Sequence, residues 1–454
     1  MEKFRLSPEE KRQEREKNGF KPLPFINTVT RVGSEDERQT RAKRNGEITF
    51  PHGEYGINEY EKEYGNDKEG IEKVREILDT FLNQEIANVQ IYKSEKFGIS
   101  FPYTRIDINN FAKELYEKNT GKIAEIKKIS NSKKRTINRE FIFPGAPLKG
   151  NLTDNGPFHF AGESMHQCIG RLPSALQKIE NGEEPEPFEI FMLGTPINEL
   201  GTMTPGFLEN FKKDPTRAMA DVFAEFIEKD FNNKKNENDK LNIELYGISW
   251  GGGVSAITGE KLLESGNFTQ NLEQVKEKPK IIIRAQNPVS LSNSKIKGLQ
   301  IWLGSPLNDI VSGDEYGPKM GQENPEFMKE IDYILEKKGI NPNMSLEQQK
   351  MKKSAIVDVV LSFRKGVKLK PETVITEIYG LNDLTTKTRS LTKEVEEQKE
   401  SNGGTLGQNL ATPQRENSRV FGVDTFHEIP WFRENELKRI DKAVKKLKEL
   451  QSKT

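Results

Sequence analysis

The stretch that decides the fold lies near the middle of the chain and reads Leu245-Tyr246-Gly247-Ile248-Ser249-Trp250-Gly251-Gly252-Gly253. A short apolar run at 243–246 leads into it, and residues 254–263 predict a helix after it. Strand, Gly-x-Ser-x-Gly and helix, in that order, predict a sharp turn with Ser249 at its tip. The positions two before and two after this serine must lack bulk, and Gly247 and Gly251 meet that requirement. We therefore expect Ser249 in a strained backbone conformation with its hydroxyl exposed.

The composition limits the classes of partner. The chain has 454 residues, 33% hydrophobic and 31% charged, which fits two or three average domains or one large domain with insertions. Lys plus Arg and Asp plus Glu are equal at 70 each, so net charge gives no argument for nucleic acid or an anionic membrane. The single cysteine, Cys168, excludes an internal disulfide framework, suits a reducing compartment and is expected to be a small core residue.

The location of the protein is predicted from the absence of targeting signals. The polar N-terminus contains no apolar stretch of signal-peptide length. No segment approaches the roughly 18 apolar residues that span a bilayer. We therefore expect a soluble, cytoplasmic protein without a transmembrane segment, although an effector secreted by a non-classical route would have the same features.

The chain divides into three predicted regions. Residues 1–65 are expected to form a charged, partly disordered extension that could contact a protein partner. Residues 66–139 predict an accessory α+β region, which either supplies the first strands of the main sheet or forms a separate cap. Its predicted helices span 70–83 and 109–118, and its predicted strands 89–92 and 98–101.

Residues 140–454 form the main predicted domain, in which strands alternate with helices. Such alternation predicts a mostly parallel sheet with helices on both faces. The predicted strands span 140–147, 188–193, 243–246, 280–285, 373–380 and 418–423. Helices are expected at 216–231, opened by Asp214 as N-cap and by Pro215, and near the C-terminus. An insertion at about 288–370 predicts a helical cap, with helices at 299–303, 325–337 and 354–363.

A metal site is a competing interpretation of one segment. If residues 159–166 were helical, His159, Glu163 and His166 would share one face at offsets of four and seven residues. Pro157 and Gly162 weaken a helix there, and ordinary packing is the preferred interpretation. We therefore expect neither a metal nor an organic cofactor.

Four features together resemble the α/β-hydrolase superfamily over about residues 188–432. The first is the turn at Ser249. The second is 379–383, Tyr-Gly-Leu-Asn-Asp, which resembles the family's Gly-x-x-Asp and would make Asp383 the triad acid. His427 follows the last predicted strand and precedes the final helix, and Leu193-Gly194-Thr195 stands where the family places half of its oxyanion hole. The order Ser, Asp, His is that of the fold.

The resemblance implies a role for each residue. Ser249 would be the nucleophile, His427 the base that takes its proton, and Asp383 the carboxylate that fixes the imidazole tautomer. The backbone N–H groups of Trp250 and Thr195 would hold the oxyanion.

The choice of base and acid can be weighed within the sequence. The other three histidines, His52, His159 and His166, all precede Ser249, so only His427 fits the chain order. Asp383 is preferred over three other acids, which lie in the predicted cap or in a predicted turn: Asp309, Asp314 and Asp424.

The predicted function is that of a serine hydrolase. It would cleave an ester, thioester or amide through an acyl-enzyme, and the resemblance favours a small-molecule or lipid-like acyl ester as substrate. The alternative is a hydrolase-like scaffold without activity that serves as a binding or interaction module. Reactivity of Ser249 distinguishes the two.

Overall fold

A computed structural model gives the fold of most of the chain's regular elements. It describes residues 64, 65, 67–126, 136–143, 145, 161–194, 205–233, 240–269, 280–286, 300, 301, 345–347, 369, 370, 373–380, 386, 387, 419–423 and 433–453. The extension predicted at 1–65 and most of the cap predicted at 288–370 lie outside these residues.

The structure is built on an eight-stranded sheet. Its strands are β1 (Val89–Ser94), β2 (Ile99–Asp107), β3 (Thr136–Phe143), β4 (Phe188–Leu193), β5 (Lys240–Ile248), β6 (Lys280–Gln286), β8 (Thr376–Gly380) and β10 (Arg419–Val423). Their order across the sheet is β1-β2-β4-β3-β5-β6-β8-β10. Strand β2 is antiparallel to both of its neighbours, and every other pair is parallel. The predicted mostly parallel sheet is confirmed.

Seven helices cover the sheet within the described part of the chain. They are α1 (Lys68–Ala87), α2 (Ile108–Thr120), α3 (Ala161–Glu180), α4 (Pro205–Lys213), α5 (Pro215–Asn233), α6 (Trp250–Glu264) and α7 (Arg433–Ser452). Apolar residues of α4, α5 and α6 form one buried cluster with one face of the sheet. Apolar residues of α1, α2, α3 and α7 form a second cluster with the opposite face. The sheet is therefore enclosed between two helical layers, as the alternation of strands and helices predicts.

Successive side chains of a strand point to opposite faces of the sheet, so that one sheet packs against both helical layers. In β4, Phe191 and Leu193 pack in the first cluster, whereas Ile190 and Met192 pack in the second. All six residues of this strand are buried, which is why it is visible in the sequence as an unbroken apolar run. The predicted strand at 188–193 has the observed bounds.

Side-chain caps fix the beginnings of two helices. Asp107 accepts a hydrogen bond from the Asn109 N–H at 2.9 Å at the start of α2. Asp214 Oδ1 accepts one from the Arg217 N–H at 3.0 Å, and Pro215 is the first residue of α5. An acidic N-cap followed by proline is a strong start signal, and it fixes the beginning of α5 as the sequence predicts.

The structure changes the predicted organisation of the N-terminal half. Strands β1 and β2 belong to the main sheet, which decides between the two roles left open for residues 66–139. The expected boundary at 139 falls inside β3, which spans Thr136–Phe143 instead of 140–147. The described residues of this region, 67–126 and 136–139, are therefore part of the main α/β unit, because their strands are hydrogen-bonded within its sheet.

Three helical predictions also need correction. Helix α3 runs through Gly162, which argued against a helix there, and through Pro173, and α4 was not predicted. In the predicted cap, residues 299–303 were expected to be helical. The structure instead has strand β7 (Gln300–Ile301), antiparallel to β9 (Thr386–Lys387). Pairing with a distant segment decides the conformation of so short an apolar run.

Two glutamates lie side by side between the sheet and α3. Glu140 on β3 and Glu244 on β5 are register partners on neighbouring strands, and Glu140 is 1% exposed. Arg284 NH1 lies 2.8 Å from Glu244 Oε1, and Arg171 of α3 adds a second positive charge nearby. Glu140 Oε1 has no hydrogen-bond partner among the described residues.

Burial controls the protonation of this pair. Burial, and then the neighbouring Glu244 charge, raise the pKa of Glu140 to about 8, against the opposing effect of Arg284 and Arg171. Burial also raises the pKa of Glu244, although Arg284 opposes it. The pair therefore holds a proton near neutral pH, because two adjacent buried carboxylates cannot both ionise without cost.

The chain should lose stability as pH rises past the range in which an exposed glutamate ionises. The folded pKa of Glu140 is above its unfolded value, so the unfolded chain releases this proton first and stability falls between about pH 4.5 and 8. Glu140→Gln should flatten this fall, with a relative gain on the order of a few kcal/mol at pH 8. Urea unfolding at several pH values measures it, with the exposed Glu183→Gln as control. An unchanged slope in Glu140→Gln would contradict the shared-proton interpretation.

None of the helices in the described ranges is long and apolar enough to cross a membrane.

Candidate active site

The site begins at the carboxyl end of β5, where the chain turns directly into α6. Strand β5 ends at Ile248 and α6 begins at Trp250, so Ser249 is the single residue of the turn. Its backbone has φ 55° and ψ −120°, and it is the one residue other than glycine with a positive φ among those described. The expected strained conformation is confirmed, and the side chain is half-buried. A conformation this unfavourable persists only where the surrounding structure enforces it, and such residues cluster at active sites.

Close packing between β5 and α6 enforces the turn. A Cβ added to Gly247 would overlap the carbonyl group of Gly251 and lie 2.5 Å from Ser255 Oγ. Gly252 N–H donates to the Ser249 carbonyl at 3.1 Å, which closes the first turn of the helix. The predicted need for a residue without a side chain at position 247 is therefore a steric requirement of the strand–helix contact.

A second backbone segment passes next to the serine. A Cβ added to Gly145, two residues after β3, would lie 3.4 Å from Ser249 Cβ and 4.0 Å from its Oγ. Strand β3 is hydrogen-bonded to β5, with Phe143 opposite Gly247, so the end of β3 is brought beside the turn. The sequence predicted only a strand up to residue 147 here. The missing signal is strand order, which places β3 and not β4 next to β5.

Besides Ser249, Trp250 is the predicted site residue that the structure describes in full. Its side chain is 1% exposed, and its indole Nε1 donates to Thr216 Oγ1 at 2.8 Å. Thr195, Asp383 and His427 lie outside the described residues, and their roles stay predictions. Gly194, immediately before Thr195, is buried. Of the alternative metal residues, His159 and the side chains of Glu163 and His166 are likewise undescribed.

The strand ends nevertheless meet at one edge of the sheet. In the parallel registers, Ile248 pairs with Gln286, Gln286 with Ile378, and Gly380 with Val423. The carboxyl ends of β8 and β10 therefore lie at the same edge of the sheet as Ser249. Asp383 is three residues beyond β8, and His427 is four residues beyond β10.

The segment before β8 is held by α6 itself. Glu260, 6% exposed near the end of that helix, accepts hydrogen bonds from the Lys370 N–H at 2.5 Å and from Thr373 Oγ1 at 2.6 Å. Helix α6 thus carries the turn at one end and anchors the entry to β8 at the other.

The fold is that of the α/β-hydrolases. The strand order, the single antiparallel second strand, the two helical layers and the strand–Ser–helix turn after the fifth strand together define it. This confirms the resemblance at the level of the fold.

Comparisons with known proteins found solved structures only. No protein-family model and no curated protein sequence matches the chain. A peroxisomal α/β-hydrolase from Saccharomyces cerevisiae is 8% identical, covers 78% of this chain and 86% of its own, and has a TM-score of 0.34. A type II thioesterase from the yersiniabactin biosynthetic pathway is 10% identical, with coverage of 71% and 97% and a TM-score of 0.32. A putative aryl esterase from Burkholderia cenocepacia is 13% identical, with 80% and 99% covered and a TM-score of 0.29. With so little identity and such loose superposition, function has to be argued from this chain's own residues.

Gly247→Ala should prevent the turn from forming. The added methyl group meets backbone atoms that have no room to move, so the loss should exceed about 3 kcal/mol or abolish folding. Gly206→Ala is the control, because a Cβ there meets nothing within 4 Å. Thermal melts of both variants measure the difference, and equal stability of the two would contradict this account of the turn.

Because Ser249 is strained, the variant with glycine at this position should be more stable than the variant with alanine, which is the reverse of their order inside a helix. Positive φ costs alanine about 1–3 kcal/mol and glycine almost nothing, so Ser249→Gly should be more stable than Ser249→Ala by about 1 kcal/mol. At Ser255, inside α6, the order should be reversed, because glycine is unfavourable in a helix. Denaturant unfolding of the four variants tests this. If alanine were more stable than glycine at both positions, Ser249 would not be strained.

Proposed function

We propose that the protein is a serine hydrolase that cleaves an ester, thioester or amide through an acyl-enzyme at Ser249. The observation that carries the proposal is the conformation of Ser249 between β5 and α6. A single non-glycine residue is held at φ 55° at the carboxyl edge of a parallel sheet, where ligands of such sheets bind. The start of α6 does not require a serine at this position, since its side chain makes no cap hydrogen bond to that helix.

The surroundings of Ser249 suit a developing negative charge. Trp250 is the first residue of α6, so its N–H points from the positive end of the helix dipole towards the turn. The proposal uses this N–H as one oxyanion donor, and the loop that begins at Gly145 as the source of a second. Thr195 is the alternative second donor. A preorganised N–H of this kind typically contributes roughly 2.7–4 kcal/mol to barrier lowering.

The base and acid come from the loops after β10 and β8. Three strand spacings of about 4.8 Å separate β10 from β5, or roughly 14 Å. Four extended residues span up to about 14 Å, so the loop from Val423 to His427 is long enough to bring the imidazole to Ser249. Asp383 follows the intervening strand β8 and would orient that imidazole.

The proposed chemistry has two steps. Ser249 Oγ attacks the acyl carbonyl while His427 takes its proton, and the proton then passes to the leaving alcohol, thiol or amine. Water, deprotonated by the same imidazole, attacks the acyl-enzyme and releases the acid. A small-molecule or lipid-like acyl ester is the proposed substrate class, and this preference rests on the resemblance alone.

Reaction with a fluorophosphonate probe tests the proposal. Wild type should be labelled, and labelling should be at least roughly a thousandfold slower in Ser249→Ala and His427→Ala, because the serine hydroxyl needs its base. Asp383→Asn should lose a comparable factor. Two controls should be labelled like wild type: Ser174→Ala, at an exposed position, and His166→Ala, at a histidine outside the proposed triad.

An unlabelled wild type with an intact circular dichroism spectrum would contradict the proposal. That result would favour the inactive scaffold, with the charged N-terminal region as its contact surface. Labelling retained in His427→Ala would reject only the assignment of the base.

A further inference from the structure

Trp250 is the one residue in the first turn of α6 whose side chain can anchor that turn to the rest of the fold. The first turn of α6 reads Trp250-Gly251-Gly252-Gly253, so three of its four residues have no side chain with which to contact the rest of the fold. The indole is buried in the cluster shared with α4 and α5. The packing of this turn against the neighbouring helical layer therefore depends on one ring.

A single hydrogen bond fixes the direction of that ring. Indole Nε1 is a donor only, and it donates to Thr216 Oγ1 at 2.8 Å, with Thr216 2% exposed. Thr216 is the second residue of α5, directly after Pro215 and the Asp214 cap. The acceptor is thus held by a helix start that is itself well defined, and Phe223 and Phe226 of the same helix pack against aromatic residues of the sheet.

We infer that Thr216 is a positioning residue for the active site, acting through Trp250. The inference rests on the proposed function, in which the Trp250 N–H is an oxyanion donor. Ring and N–H belong to one residue next to the strained Ser249. Removing the acceptor leaves a buried N–H without a partner, and the ring will rotate to satisfy it. Because the ring and the N–H share one Cα, this rotation tilts the peptide between Ser249 and Trp250, and a small tilt is enough to move the donor from its productive position.

The experiment compares Thr216→Val with Thr216→Ser. Valine keeps the shape and lacks the hydroxyl, whereas serine keeps the acceptor. The maximal rate of labelling by the fluorophosphonate probe should be roughly tenfold lower in Thr216→Val than in wild type, and it should be near the wild-type rate in Thr216→Ser. The probe concentration for half-maximal rate should stay unchanged, because the hydrogen bond orients the donor and does not contact the probe.

Thr258→Val separates positioning from general loss of stability. Thr258 is also fully buried on α6, and its hydroxyl donates only to the Val254 carbonyl, four residues earlier in the same helix. It should lower the melting temperature, as Thr216→Val does, and leave labelling unchanged. Selective ¹⁵N-tryptophan labelling gives a second readout: the Trp250 indole resonance should move in Thr216→Val and stay in Thr258→Val.

The outcomes distinguish the two proposals. Wild-type labelling rates in Thr216→Val, or equal slowing in both valine variants, would overturn the positioning role and leave the hydrolase proposal standing. An unlabelled wild type would overturn the hydrolase proposal and, with it, the role of Thr216.

Discussion

The geometry of the site depends on the close packing of the end of β5 against the first turn of α6. Because Gly247 has no side chain, the Gly251 carbonyl can approach it closely, and Ser249, the one residue between strand and helix, is forced to positive φ. The same closeness continues along the helix, since a Cβ on Gly259 would overlap the Ile283 side chain on β6. Helix α6 therefore lies unusually near the sheet along its length. The direction of Ser249 follows from this packing.

The charged residues within the sheet fall into two groups, one on each face. On the face towards α5, Arg139 is 5% exposed and pairs with Glu189 at 2.7 Å and Asp230 at 3.0 Å, and Arg105 also contacts Glu189. On the face towards α3, Glu140 and Glu244 share their surroundings with Arg284 and Arg171. The first group balances its charges by pairing, as buried ions usually must. The second has as many arginines as glutamates, but burial outweighs the attraction of the arginines for the carboxylates, and the pair relies on a retained proton.

Sequence alone predicts the elements whose stability is local. The apolar run of β4, the Asp-Pro start of α5 and the strand–Gly-x-Ser-x-Gly–helix turn each carry their own signal, and the structure has all three. The sequence placed the start of β3 too late, because Asn138 and Arg139 look unlike a buried strand. Their polar groups are accommodated by partners on other strands and helices. Helix α3 tolerates Pro173 for a related reason, since its apolar face is buried among three other helices. The approach of Gly145 to Ser249 depends on strand order, and hydrophobic periodicity carries no information about strand order. The predicted base and acid lie outside the described residues and stay predictions.

Strand order also has a consequence for how the protein is made. Strand β5 pairs with β3, and their partners Asn138 and Asn242 are 104 residues apart in the chain. At roughly 5–20 residues per second, a ribosome needs about 5–20 s to deliver the second strand after the first. During that interval β3 can pair with β4 on one side only, and its other edge stays open to any extended segment nearby. Of β3, β4 and β5, the strand that leads into Ser249 is therefore the last to be made. Until then the nascent chain can mispair at β3, the strand that will adjoin the active site.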